Sequence, residues 1–500
     1  SIASQAITDN GTLAVNRSDD VTLGAAISGS GALNQNGSGT TTLTGSSTYS
    51  GPTAINAGTL QLGNGGTSGS IASQAITDNG TLAVNRSDNV TLNQAISGTG
   101  ALNQNGSGTT TLTGNSSYSG PTAINAGTLQ LGNGGTSGSI ASQAITDNGT
   151  LAVNRSDNVT LNQAISGTGG FAQNGSGTTT LTGNSTYSGP TAINAGTLQL
   201  GNGGTSGSIA SQAITDNGTL AVNRSDNVTL GAAISGSGAL NQNGSGTTTL
   251  TGNSSYSGPT AINAGTLQLG NGGTSGSIAS QAITDNGTLA VNRSDNVTLN
   301  QAISGTGALN QNGSGTTTLT GNSSYSGPTA INAGTLQLGN GGTSGSIASQ
   351  AITDNGTLAV NRSDNVTLNQ AISGSGALNQ NGAGTTTLTG NSTYSGPTAI
   401  NAGTLQLGNG GTSGSIASQA ITDNGTLALN RSDNVTLGAA ISGSGALNQN
   451  GSGTTTLTGN STYSGPTAIN AGTLQLGNGG TSGSIASQAI TDNGTLALNR

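Results

Sequence analysis

One sequence unit recurs along this chain almost without change. Ser1-Ile2-Ala3-Ser4-Gln5 returns at Ser70, Ser139, Ser208, Ser277, Ser346, Ser415 and Ser484, so seven full units (1–69, 70–138, 139–207, 208–276, 277–345, 346–414 and 415–483) are followed by a partial one, 484–500. A period of this size implies stacked units that bury their apolar faces only against their neighbours. It overrides the several globular domains that 500 residues would otherwise imply. One continuous elongated domain over residues 1–500 is expected. An enzyme needs one singular site, and almost nothing in this chain is singular.

Composition narrows the fold. Hydrophobic residues are 30% and aromatics 2% of the chain, too few for several compact cores. The 89 glycines would describe a flexible linker if the apolar residues were unordered. They are ordered: Leu13 and Val15 flank Ala14, Val21 and Leu23 flank Thr22, and Leu60 and Leu62 flank Gln61. Such runs are strand signals, and each ends in turn chemistry such as Asn10-Gly11, Asn36-Gly37, Gly51-Pro52 or Gly63-Asn64-Gly65-Gly66. No helical spacing of apolar residues appears.

Within each unit, Gly11-Thr12-Leu13, Gly31-Ala32-Leu33 and Gly58-Thr59-Leu60 look like one recurring corner. Their intervals are 20, 27 and, on to Gly80-Thr81-Leu82, 22. Coils of this length with short strands fit an all-β parallel β-helix, with about three coils per 69-residue unit and about 22 coils in all. Inward positions are Leu13, Val15, Val21, Leu23, Ile27, Leu33, Leu43, Ile55, Leu60, Leu62 and the Ile2/Ile7 pair. The copies support this, since the Leu33 slot holds Phe171 in the third unit and the Val15 slot holds Leu429 in the seventh. Positions 24–25 alternate between Gly-Ala and Asn-Gln, as at Asn93-Gln94, which an outward or corner site tolerates.

The chemistry available is sparse. Each full unit has one Arg (Arg17, Arg86, Arg155 and on), and the chain has no His, Lys, Glu or Cys. One Arg among acids builds no basic stripe, which excludes nucleic acid and polybasic membrane attachment. Without Cys there are no disulfides or thiolate metal sites. No apolar stretch approaches a membrane span. The Gly29-Ser30-Gly31 and Gly37-Ser38-Gly39 runs lack any base beside the serine except Asp, so no catalytic residue is assigned. Arg17 and Asp19 read as a local ion pair or a turn cap, and the spacing of Asp9 and Asp19 matches no calcium loop. No metal or cofactor site is expected. The Tyr49 series could stack on sugars, but packing over the Gly-Pro turn is the reading preferred. The Thr40–Thr44 run raises ice binding, disfavoured because only one coil in three carries it. Asn-x-Ser/Thr sequons reflect turn-rich composition.

Two segments carry a family resemblance. Gly39-Thr40-Thr41-Thr42-Leu43-Thr44-Gly45, followed by Tyr49-Ser50-Gly51-Pro52-Thr53-Ala54-Ile55-Asn56-Ala57-Gly58-Thr59-Leu60, resembles the passenger-associated transport repeat of bacterial autotransporters. Thr41 departs from a common apolar residue and Pro52 from a common Gly. The resemblance implies a right-handed β-helix, secretion through an outer-membrane translocator, and display at the bacterial cell surface or release. Both chain ends fall inside the repeat, so a window of a longer protein is expected. The near-identity of the copies points to a non-enzymatic stalk within a surface fibre or adhesin. The alternative is direct adhesion or self-association through repeated faces, as in cell-cell aggregation or biofilm, with neighbouring copies or glycans as partners.

Overall fold

The structure is a computed structural model that describes residues 5–500. Its Cα framework divides into two units, one of residues up to 248 with 252–258, the other of 249–251 with 259–500. Each unit is all-β among the described residues, and all the strand pairs described within it are parallel.

The second repeat shows why. Thr81–Val84, Ala101–Gln104, Thr109–Leu112 and Thr128–Leu131 are four-residue strands that put alternate side chains inside. Shorter strands, Ile76–Asp78, Val90–Leu92, Ile96–Ser97 and Thr122–Ile124, lie between them. Turns separate them where glycine alone fits. Gly98 has φ +107°, and a Cβ there would meet the Asp78 carbonyl oxygen at 2.1 Å. Each strand pairs in parallel with the coil above and the coil below, as Leu82 does with Leu60 and Leu102. The first unit is thus a β-solenoid, and so is the second.

The register fixes the coil length. From Leu23 the register passes to Leu43, Leu62, Val84, Gln104, Ile124 and Asp147, one coil at each step. Ile165–Ser166 follows, and the amide of Ser188 donates to Gly167 O on the next coil. The Asn184–Ser208 bridge reaches the next, and residues 209–212 then flank 229–232. Leu230, the copy of Leu23 three repeats later, therefore stands ten coils along. Three repeats thus make ten coils of about 20.7 residues each, and the first unit holds about twelve.

The expectation of about three coils per repeat holds, and the register refines it to three and a third. Two of the three corner spacings are true coil steps, since Leu13 pairs with Leu33 and Leu60 with Leu82. The spacing of 27 is not. Leu33 pairs with Thr53, and Leu60 lies further along the same coil, on the next face. Each repeat therefore advances a given strand by one face of three. Thr81–Val84, Thr150–Val153 and Thr219–Val222 belong to three different sheets. The shorter coil also corrects the expected total of about 22 coils, to about twelve in each unit.

The core is a narrow column. Leu82, Leu102, Leu129, Ile124 and Ile96 are buried, as are their copies in the third to seventh repeats, and Phe171 fills the Leu33 slot at 1% exposure. In the first repeat Ile7, Leu13 and Val15 are half-buried, while their copies Ile76, Leu82 and Val84 are buried. Val21 is half-buried, like most of its copies, because its strand is the last of its sheet and pairs on one side only. Ile2 lies outside the described residues.

Candidate binding surface

Most of the polar side chains that could carry chemistry are used by the fold. Gln35 is buried. Its Nε2 donates to Gly37 O at 2.8 Å and Gly39 O at 3.0 Å, and its Oε1 accepts from Thr41 Oγ1 at 2.6 Å. Thr41, the departure from a common apolar residue, is thus the partner that satisfies a buried carboxamide. Tyr118 is fully buried, with its hydroxyl 2.6 Å from Thr122 Oγ1. The Tyr49 series therefore offers no ring face to a sugar, and burial pushes its hydroxyls up from their ordinary pKa.

Two aspartates of each repeat have opposite environments. Asp78 is fully buried. Its carboxylate accepts from the amides of Gly80 at 3.0 Å and Leu82 at 3.2 Å, and Gly100 must lack a side chain, since a Cβ would stand 2.3 Å from Oδ1. Loss of solvent pushes its pKa up to about 6, against the pull of the two amides. The same holds at Asp147, Asp216, Asp285, Asp354 and Asp423. Nothing in the sequence distinguished this buried carboxylate from an ordinary turn aspartate except the glycine at position 100, one coil later.

The second aspartate forms the ion pair expected at Arg17 and Asp19. Arg86 holds Asp88 through Nε at 2.9 Å and Nη2 at 2.7 Å, a two-point contact that lowers the Asp88 pKa. Arg86 itself is buried, and its other donors reach Gly69 O at 2.9 Å and Thr67 O at 2.8 Å. The pair is thus a clasp. It fastens the loop Gly63–Gly69 of one repeat onto the first coil of the next. The loop's tip, Asn64 to Ser68, is exposed.

Apart from the clasp aspartates, the rows of side chains that point outward are mostly uncharged. Along one face of the first unit, register neighbours Thr22, Thr42, Gln61, Ala83, Asn103, Ala123, Thr146 and Ser166 form the outward row, of which Ala83 is itself covered. A second column, Thr40, Thr59 and Thr81, runs over three successive coils before Ala101 interrupts it. The Thr40–Thr44 run itself occurs once per repeat, and this column of single threonines is too short to form an unbroken array. Within a unit, a given strand of the repeat passes to a different sheet in each successive repeat, as Thr81–Val84, Thr150–Val153 and Thr219–Val222 do. Among the described residues, no three carboxylates gather in a way that could hold a metal ion.

The comparisons with known proteins agree with this architecture. The profile of the passenger-associated-transport-repeat family matches seven times, at residues 33–62, 102–131, 171–200, 240–269, 309–338, 378–407 and 447–476. The chain is 33% identical over 538 aligned residues to the adhesin BmaC autotransporter of Brucella suis biovar 1, an alignment that covers 96% of this chain. The chain spans about 15% of that adhesin's length. No solved structure matches the chain.

Proposed function

From a chain that carries seven passenger-associated-transport repeats, as in the passengers of autotransporters, we propose a non-enzymatic spacer within the secreted, surface-displayed passenger of a bacterial adhesin. Residues 1–500 then form one continuous solenoid that passes through an outer-membrane translocator before folding and holds an adhesive part away from the cell. The observation that carries this reading is the register. Within each unit, successive coils are fastened to one another by parallel backbone pairing, and nearly every polar side chain inside serves that stack. Such a chain gains rise and nearest-neighbour stabilisation with each turn and little else.

Small-angle scattering of the purified chain tests it. At ~4.8 Å per coil, about 20.7 residues per coil give a rod of about 115 Å, with a radius of gyration of about 34 Å. A compact globule of the same length would give about 23 Å. Deletion of three whole repeats should shorten the rod by ~48 Å, wherever they are taken from. A radius near the globular figure, or a deletion that abolishes folding from one location only, defeats the spacer reading.

A further inference from the structure

Three Asn-Gly steps lie between Arg155 and Arg224, at Asn174-Gly175, Asn202-Gly203 and Asn217-Gly218. In such a step the backbone nitrogen of the glycine, with no Cβ to shield it, stands beside the preceding carboxamide. The fold treats the three differently. The Gly175 amide donates to Val153 O at 3.2 Å and the Gly203 amide to Asn223 O at 2.7 Å. A peptide carbonyl holds such a proton without taking it. The Gly218 amide donates instead to a carboxylate, Asp216 Oδ1, at 3.0 Å.

Asp216 is fully buried, its other oxygen accepts from the Leu220 amide at 3.2 Å, and loss of solvent pushes its pKa up to about 6. A group within hydrogen-bond reach of the proton, with an affinity for it near neutral pH, meets the needs of a general base. The neighbouring carboxamide is polarised as well. Asn217 Oδ1 accepts from Ser237 N at 3.2 Å and Ser237 Oγ at 3.3 Å, both on the next coil. These are two donors placed where negative charge would develop if the carboxamide carbon were attacked. Asn217 is exposed, which gives ammonia a way out and water a way in. Gly218 is required by the turn itself, since a Cβ there would meet Gly196 O at 2.5 Å. The same set stands at Asp78-Asn79-Gly80 with Thr99 and at Asp147-Asn148-Gly149 with Thr168.

We propose that Asp216-Asn217-Gly218 and its copies are self-modifying sites, at which the folded chain converts the asparagine to aspartate or isoaspartate without an enzyme. Asp216 takes the Gly218 amide proton, the Gly218 nitrogen bonds to Asn217 Cγ, and the charge that gathers on Asn217 Oδ1 is met by the two Ser237 donors. The Cγ–Nδ2 bond then breaks, Asp216 returns its proton to Nδ2, and ammonia leaves a succinimide. Water adds across one or the other bond from the ring nitrogen to its carbonyls. One opening gives aspartate. The other routes the backbone through the side chain and makes it one atom longer, between the strands Ile214–Asp216 and Thr219–Val222. Water is the sole co-reactant, and Asp216 ends as it began. Each event adds a negative charge at an exposed turn, so the solenoid records its age at one turn of each repeat. This inference does not rest on the spacer reading, and the scattering test of that reading does not decide it.

Incubation of the full chain at neutral pH, followed by peptide mapping in a mass spectrometer, tests the proposal. Cleavage after Arg155 and Arg224 releases one fragment that holds all three Asn-Gly steps and the chain's one phenylalanine, Phe171, which separates it from its sister fragments. Fragmentation then reads the exchange of amide for acid at Asn174, Asn202 and Asn217 individually. In the folded chain Asn217 should convert at least about tenfold faster than the other two, the scale of a modest general-base effect. In guanidinium chloride the three should convert at similar rates. This ranking needs no variant. Asp216→Asn, which keeps an acceptor and removes the base, should bring Asn217 down to the rate of its two neighbours while circular dichroism shows the parent fold. A folded parent in which Asn174 or Asn202 converts as fast as Asn217 overturns the proposal, and makes the carboxylate a guard of the amide. A folded Asp216→Asn chain that keeps the parent rate at Asn217 overturns it equally.

Discussion

Acid should stabilise this fold over a defined range, and the six buried aspartates set both its sign and its size. Asp78 and its five copies have an ordinary carboxyl pKa of 3.8 raised to about 6 by burial. A group whose pKa is higher folded than unfolded takes up a proton on folding. Its favourable contribution is complete below pH 3.8 and is lost as pH rises through about 6. The difference corresponds to about 3 kcal/mol per carboxylate between pH 4 and pH 7, as an upper figure. No cation opposes this. The ionisable group set against Asp78 is Tyr118, neutral throughout the range, and the other contacts to its oxygens are two amides. The clasp aspartates act the other way. Asp88, Asp157, Asp295 and Asp364 have lowered pKa values through their arginines, so their contribution is lost as pH falls below the usual carboxylate range. Stability should therefore rise as pH falls from 7 to about 4.5 and decline in stronger acid. Thermal unfolding followed by far-ultraviolet circular dichroism across this range measures it. A variant with all six buried aspartates changed to Asn should lose most of the dependence between pH 4.5 and 7. A melting temperature that falls steadily over the same acidification would refute the assignment.

Other substitutions probe separate parts of the structure. Gly100→Ala forces a Cβ against the Asp78 carboxylate and should destabilise the fold by about 2 kcal/mol or more, read from chemical denaturation. Arg155→Ala strips partners from Thr136 O, Gly138 O and Asp157. It should cost about 2–3 kcal/mol locally and make the loop 132–138 the first site of limited proteolysis. Leu102→Asp buries an unpaired charge and should cost several kcal/mol, whereas Phe171→Leu, which writes the residue of the sister repeats, should cost under about 1.5 kcal/mol. Equal melting of the parent and the Leu102→Asp variant would show that the slot faces solvent.

The alternation of Leu60 with Leu62, the turn glycines and the long repeat period were enough to read a parallel solenoid from the sequence, because each reports a local preference that the stack does not override. The interchange of Leu33 and Phe171 located an inward slot, and the structure buries both. What the sequence hid was phase. Similar Gly-x-Leu corners at spacings of 20, 27 and 22 looked like three coils, yet one spacing crosses from face to face. Register depends on which strand a coil meets, a long-range fact that no local pattern carries. The same blindness covered Asp78. An Asp-Asn-Gly turn reads as exposed, and its carboxylate is buried only because Gly100 arrives from the next coil. The Gly-Ala variation was legible as a tolerant position, but the count of ten coils in three repeats was not legible in it.

Cross-linking tests that count most directly. The chain has no cysteine, so introduced pairs report without background. Asn103 and Ala123 are outward register partners on adjacent coils. Asn103 and Gln130 are also outward, and they are the pair that would be adjacent if every Gly-x-Leu corner stacked on the next. Strand neighbours at ~4.8 Å lie within the Cα separation a disulfide can span. Under mild oxidation, Asn103→Cys with Ala123→Cys should form a disulfide in the folded chain, and Asn103→Cys with Gln130→Cys should not. A disulfide in the second pair and none in the first would mean three coils per repeat, and the three-face advance of the solenoid would be wrong.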